Sequence, residues 1–370
     1  MNIVFLTPRL TLGGYEKVVV NYANTFSKLG HKVSILCGFK EGNLLEQINK
    51  DIEIINFNAR YRQFIFPLIK YLKKNEVDIL YVPYRSYTSM SVIARWLAKN
   101  KKCVIYGTIH GYEYGRKWVE FIQGKIIKHT QVLSTLTDDL SEFESKALGI
   151  PMERYIHLKN PVINSKENIA KIEHKWLSQD KSIPIIILSG RLEKDKNVDL
   201  ALKILREVLK VKDVKMLILG NGSEINKLKN LATELEVQDS VDFVGFVSNP
   251  MEYMIQSDVF LHTATIEAFG NVIVEALYCN LPIVTTDCKG PVEIIENGKY
   301  GIVIGKSNEF NIEKRGAKAI LDIIQGKLEF DGMREKALQY DMLKLEEEFL
   351  EPYYEYIKKN QEKNSISNCK

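Results

Sequence analysis

The sequence predicts an α/β protein made of two successive parallel-sheet units. Three observations predict it. Short runs rich in β-branched residues alternate with amphipathic stretches along nearly the whole chain, the pattern of a parallel sheet with helices on both faces. The alternation pauses in a polar, charged stretch at residues 165–182 and begins again near Ile183. A length of 370 residues suits two domains better than one.

In the first series the expected strands are 3–7, 32–37, 52–57, 79–82, 103–109, 132–135 and 155–158. Helical patterns lie between them, such as 16–29, closed by Gly30 at a C-cap position. In the second series the strands are 185–188, 215–219, 241–243, 259–262, 283–285 and 301–304, with helices over 198–211, 223–235, 271–279 and 311–324. Residues 343–359 form an amphipathic helical tail. The expected division is therefore a first domain at 1–164, a linker at 165–182, a second domain at 183–342, and a tail at 343–370 that packs back on the first domain. Two such domains facing each other leave a cleft at the carboxyl ends of their strands, where open α/β sheets bind ligands.

Hydrophobic residues make up 45% and charged residues 26%, which places the chain among ordinary globular proteins. A net charge of +4 gives no argument for a nucleic-acid partner and agrees with an anionic substrate. Cys37, Cys103, Cys279, Cys288 and Cys369 show neither a CxxC pair nor zinc spacing, and are read as thiols in a reducing compartment. The apolar run 3–6 is too short for a signal peptide and lacks a basic leader. No stretch approaches the roughly 18 apolar residues of a membrane span. The expected location is the cytoplasm, with any membrane contact peripheral and at the inner face.

The chemistry concentrates in Glu267-Ala-Phe-Gly-Asn-Val-Ile-Val-Glu275. Gly270 marks the entry to a helix that is almost wholly apolar except for Asn271 and Glu275, and an apolar helix is a buried one. A carboxylate within it is costly unless something pairs with it. Side chains tilt toward a helix N-terminus, so Glu275 is expected to point back to the cleft, where the amides of Phe269–Val272 form a phosphate site aided by the helix dipole. One ligand fits these features: ribose hydroxyls at Glu275, a diphosphate at the helix start, sugar hydroxyls at Glu267. The alternative is a Glu275 bridged to Arg or Lys for structure alone.

Arg191 and Lys196 follow the first strand of the second series, in Gly190-Arg-Leu-Glu-Lys-Asp-Lys-Asn197, a pairing suited to a diphosphate. Glycine-rich turns follow two strands, Leu12-Gly13-Gly14-Tyr15-Glu16 and Gly220-Asn221-Gly222-Ser223. Glycines permit close backbone approach to a phosphate or sugar, although turns use them anyway. Neither turn is a dinucleotide GxGxxG, and there is no GxxxxGK[ST], so a Rossmann dehydrogenase and a P-loop enzyme are excluded. His110 ends an expected strand and would face the cleft, or serve structure.

Taken in order, these residues resemble the retaining glycosyltransferases of family four, which have the GT-B fold: two Rossmann-like domains facing across a cleft, with a C-terminal helix crossing back to the first. The matching positions are Gly13–Glu16, His110, Gly190 through Lys196, Gly220–Gly222, Glu267–Glu275, and Thr286-Asp287 leading into Gly290-Pro-Val-Glu-Ile-Ile295. They span almost the whole chain. The resemblance implies that Glu275 holds the ribose and that Arg191 and Lys196 stabilise the departing diphosphate. It also implies that Glu267, Phe269, Gly270 and Asn271 contact the donor sugar and phosphates, with Val272 and the Gly220–Gly222 turn completing the donor side. His110 would approach the donor sugar near the reacting carbon, and Gly13 and Gly14 would border the acceptor. Ala264 stands where the family often has serine, and Asn280 where it often has glycine; asparagine tolerates the left-handed conformation of a helix end.

The expected reaction is therefore transfer of a hexose or N-acetylhexosamine, with retention, from a nucleotide sugar. UDP is preferred on family habit. No metal-ligand pattern is visible in the sequence, and neither metal nor cofactor is expected. The competing readings are a nucleotide-sugar epimerase on the same architecture and a non-catalytic sugar-nucleotide-binding subunit. The first would carry further acid–base groups beside His110; the second would have lost Glu267, Arg191 or Lys196. The expected acceptor is a glycan or a polyprenyl-linked lipid of bacterial surface polysaccharide assembly. Basic and aromatic residues mix in Arg60-Tyr-Arg-Gln-Phe-Ile-Phe-Pro67 with Lys70, Tyr71, Lys73 and Lys74, and in Arg116-Lys117-Trp118. Such a surface suits an anionic membrane, or is an ordinary amphipathic helix with a solvated basic face.

Overall fold

The computed structural model describes residues 1–11, 13–177 and 183–368. Leu12 of the first glycine-rich turn, residues 178–182 of the expected linker, and Cys369 lie outside the described residues. The chain divides into two compact units, one of residues 1–164 with 340–370 and the other of residues 165–339.

The first unit is a seven-stranded parallel sheet of β1 (Asn2–Thr7), β2 (Lys32–Cys37), β3 (Glu53–Asn56), β4 (Ile79–Pro83), β5 (Val104–Thr108), β6 (Val132–Thr135) and β7 (Tyr155–His157), in the order β3-β2-β1-β4-β5-β6-β7. The register of β1 on β2 runs from Asn2 opposite Lys32 to Thr7 opposite Cys37. Its helices are α1 (Gly14–Lys28), α2 (Ile65–Lys74), α3 (Arg85–Ala98), α4 (Lys117–Ile127) and α5 (Asp138–Leu148). Alternate residues of each strand point to opposite faces. Ile3, Phe5, Ile35 and Tyr81 therefore join the core that α1 covers, while Val4, Leu6, Leu36 and Leu80 join the core under α2 and α3. Both sets are buried, which explains why these strands read as continuous apolar runs.

The second unit holds a six-stranded parallel sheet of β8 (Ile185–Ser189), β9 (Lys215–Leu219), β10 (Val241–Gly245), β11 (Val259–His262), β12 (Ile283–Thr285) and β13 (Gly301–Val303), in the order β10-β9-β8-β11-β12-β13. Its helices are α6 (Val198–Leu209), α7 (Ile225–Glu234), α8 (Met251–Met254), α9 (Asn271–Tyr278), α10 (Lys289–Ile294), α11 (Ile312–Ile324) and α12 (Met333–Ala337). The strand order reverses between β8 and β11, the position in an open α/β sheet at which ligands bind.

The expected linker differs from a reading by polarity alone, while the tail packs where expected. Residues 165–177 pack on the second unit: His174 Nε2 lies 3.2 Å and Lys175 Nζ 2.9 Å from Asp242 Oδ2, and Lys175 sits over the Trp176 ring. A polar segment can be fixed by ion pairs as well as by apolar contacts. The last helix, α13 (Leu345–Asn368), belongs to the first unit, where Phe349 is fully buried among Phe5, Tyr22, Phe26, Tyr81 and Tyr106.

Candidate active site

In the second unit, the loop after β8 carries Arg191 and Lys196, and the loop after β11 carries Glu267. Their strands are hydrogen-bonded neighbours, so the two loops leave the sheet side by side. Thr265 ties them together, its N–H and its Oγ1 both donating to the carbonyl of Asp195 at 2.8 and 3.1 Å. Thr263 Oγ1 donates to the carbonyl of Lys196. This stitching brings Lys196 Nζ to 2.5 Å from Glu267 Oε2.

Glu267 also has His262 beside it, with Nε2 at 3.9 Å. Burial would raise the carboxyl pKa, but the His262 ring and the Lys196 ammonium outweigh it and hold Glu267 at about 2. His262 Nδ1 lies 3.0 Å from Thr285 Oγ1, which fixes the ring. Sequence reasoning missed His262. The available signal was its place as the last residue of a buried strand, on the side where open α/β sheets bind ligands.

Gly270 stands at the N-cap of α9 with φ +96°, a conformation that favours glycine. Gly290 packs beneath the same segment. A Cβ there would lie 2.5 Å from the Phe269 nitrogen, and the Gly290 N–H donates to the Glu267 carbonyl at 3.2 Å. Phe269 is buried, and Asn271 and Val272 form the first turn of the helix, whose start carries partial positive charge. Glu275 follows one turn later and is only 2% exposed, among Ile273, Val274, Ala276 and Leu277. After burial, its carboxylate is the next cause holding the Cys279 thiol up at about 12. Asn280 takes φ +52°, the left-handed helix end expected of it.

The glycines Gly220 and Gly222 have a clear packing reason. A Cβ on Gly220 would lie 1.8 Å from the Gly190 carbonyl oxygen, and one on Gly222 2.3 Å from that of Leu192. These glycines admit the neighbouring loop. Leu192 N–H donates to the Asn221 carbonyl, and Glu193 accepts from the N–H and Oγ of Ser223. Arg191 is not drawn into the Lys196–Glu267 pair; it is 61% exposed and lies 3.9 Å from Asp195.

In the first unit, His110 follows β5, and Gly13 and Gly14 open α1 after β1. Tyr15 joins the two positions: its ring meets the His110 ring edge-on at 4.8 Å, and its hydroxyl donates to the Leu6 carbonyl. Tyr81 Oη lies 3.0 Å from His110 Nε2, while Nδ1 is buried with no hydrogen-bond partner among the described residues. Burial pushes the His110 pKa down to about 3, so the ring is neutral at physiological pH. Among the described residues no group of three or more His, Cys, Asp or Glu is arranged to hold a metal ion.

Two parallel-sheet units, each with its candidate residues in loops leaving the carboxyl ends of strands, have the two-sheet architecture expected of the GT-B fold. Residues 12–162 match Glycosyltransferase Family 4, and residues 169–336 match Glycosyl transferases group 1. The chain belongs to the family-four glycosyltransferases, and is a glycosyltransferase by that membership. One curated relative is an N-acetylgalactosamine-N,N'-diacetylbacillosaminyl-diphospho-undecaprenol 4-alpha-N-acetylgalactosaminyltransferase of Campylobacter jejuni, 34% identical over 37% of this chain and 37% of its own length. Another is the alpha-monoglucosyldiacylglycerol synthase of Streptococcus pneumoniae, 27% identical over 70% of this chain and 64% of its length. Both matches thus span less than two thirds of the relative. Among solved structures, Anabaena HepE in complex with UDP superposes with a TM-score of 0.77 at 19% identity, covering 95% of this chain and 99% of that one. This likeness establishes the fold.

Proposed function

We propose that this enzyme transfers a hexose or N-acetylhexosamine from a UDP-sugar, with retention, to a glycan or polyprenyl-linked acceptor in bacterial surface polysaccharide assembly. The observation that carries the reading is the Lys196–Glu267 pair beside the start of α9, with Glu275 buried one turn further on. The barrier to glycosyl transfer is charge separation as the nucleoside diphosphate leaves. Lys196, Arg191 and the dipole of α9 stabilise that charge electrostatically. Glu267 accepts from the sugar hydroxyls and holds Lys196 in place, and Glu275 anchors the ribose. His110 contributes at the donor sugar as a neutral ring, and Gly13 and Gly14 border the acceptor. With the positive charge supplied by side chains, turnover is expected to survive EDTA.

The relatives named above support a lipid-linked acceptor, since their names carry a diphospho-undecaprenol and a diacylglycerol. UDP in the HepE complex is consistent with the nucleotide preference.

The test is a panel of UDP-, GDP- and ADP-sugars assayed by thermal shift and by donor hydrolysis, with NMR of the anomeric proton of the product. Lys196→Ala is expected to lower kcat by about 100-fold to 1,000-fold, the usual loss for one charge-stabilising group. Glu275→Ala is expected to abolish the thermal shift by the nucleotide. If no nucleotide sugar binds the parent chain, the donor reading fails. If the donor is converted to its epimer without an acceptor, the enzyme is an epimerase.

A further inference from the structure

Charge is distributed very unevenly in this chain. Residues 60–128 hold 14 Lys and Arg against 4 Asp and Glu, a net +10 within a chain whose total is +4. The rest of the molecule is therefore net acidic. This basic segment includes α2, α3 and α4, with α3 packed against both of the others.

Helix α4 is amphipathic in the reverse of the usual sense. Its polar contact points inward: Glu120 lies 3.1 Å from the buried guanidinium of Arg85, which also makes paired hydrogen bonds to the fully buried Glu144. Gly124 and the buried Ile127 share that inner side, and a Cβ on Gly124 would lie 2.0 Å from the Leu148 carbonyl oxygen of α5. The outer side carries Trp118, Phe121 and Ile122, which are 62%, 63% and 49% exposed, and Tyr114 precedes them at 75%. Their spacing of three and four residues puts them on one stripe. Exposed Arg116, Lys117, Lys125 and Lys128 surround the stripe, and the Lys125 ammonium sits over the Phe121 ring. Across α3, the start of α2 repeats the pattern with Phe66 at 72% exposed among Arg60, Arg62 and Lys70.

We propose that the outer face of α4, with the basic start of α2, docks this enzyme on an anionic lipid bilayer, Trp118, Phe121 and Ile122 entering the headgroup boundary. Aromatic rings ringed by long cationic side chains suit that boundary, where the rings bury and the cations meet lipid phosphates. The fixed inner contacts of Glu120 and Gly124 leave the apolar stripe nowhere else to turn. The inference concerns the first unit alone and does not depend on which donor the second unit holds.

The test is sedimentation of the full chain with phosphatidylcholine vesicles and with vesicles carrying 30% phosphatidylglycerol. Binding is expected to the anionic vesicles only, and to be lost in 0.5 M salt. Arg116→Glu with Lys117→Glu is expected to weaken it by about 30-fold or more, and Trp118→Ser with Phe121→Ser by about tenfold or more. These side chains are exposed, so the variants should melt with the parent. Brominated lipid should quench the tryptophan fluorescence of the parent, and Trp118→Phe should still bind but lose most of the quenching, although Trp96 and Trp176 remain. No binding to anionic vesicles overturns the proposal, as does binding that neither double variant weakens. A parent that is dimeric by light scattering, and monomeric as the serine variant, would make this face an interface between copies instead. Donor hydrolysis without vesicles is scored separately: binding without hydrolysis supports the docking face and counts against the donor reading, and hydrolysis without binding does the reverse.

Discussion

His110 and Glu267 are both shifted strongly, in ways that remove them from the titration of the enzyme near neutrality. Glu267 is held at about 2 by His262 and Lys196 against its burial, so the stability from its pairing is fully present above the ordinary carboxylate range and is lost progressively as pH falls from that range through about 2. His110 is held at about 3 by burial. Its unfolded form takes up a proton below about 6.5 while the folded form stays neutral. The burial of the neutral ring therefore adds no pH-dependent cost above pH 6.5 and becomes progressively destabilising between pH 6.5 and 3. Urea unfolding at pH 7 and pH 5.5 checks the sign: the parent should lose stability on acidification by up to about 1.4 kcal/mol per pH unit more than His110→Gln does. Activity should show no acid limb between pH 5 and 7 that disappears in His110→Gln.

At the scale of elements, the site depends on loops that are held by one another. The Gly190–Lys196 loop rests on Gly220 and Gly222, and the Glu267–Gly270 segment rests on Gly290. A methyl group at position 290 meets the Phe269 backbone, which cannot swing aside as a side chain would. Gly290→Ala is therefore expected to displace Phe269 and the start of α9 and to lower kcat/KM for the donor by about 100-fold, with folding retained. Donor kinetics beside a thermal melt decide it; unchanged kinetics would mean that this segment does not position the donor. The same reasoning makes α4 a fixed platform, since Gly124 allows it to lie against α5 and Arg85 holds its carboxylate inward.

At the scale of the molecule, the chain's end completes its beginning. Phe349 of α13 fills the core over β1, β4 and β5, and its carbonyl accepts from the Tyr106 hydroxyl at 2.9 Å. Truncation of such a ring leaves a cavity in a packed core, so Phe349→Ala is expected to destabilise the first unit by about 3–5 kcal/mol. Denaturant unfolding followed separately in each unit should place the loss in the first.

The sequence by itself determined the two parallel-sheet units, because strands buried on both faces must read as apolar runs and amphipathic stretches must separate them. It also determined the family and the order of the motif residues, from Gly13 to Glu275, since those depend on residue type and spacing along the chain. Asn280 was legible for the same reason: a left-handed helix end has a local signature. Only the tertiary structure decided which residues meet. The Lys196–Glu267 pair, the approach of His262, and the packing of Gly220, Gly222 and Gly290 join positions that are from five to about seventy residues apart, and nothing local encodes such a meeting. The outward face of α4 belongs with these. Its residues announce an amphipathic helix, but which side turns to solvent was settled by Arg85, which draws Glu120 inward and leaves the aromatic stripe outside.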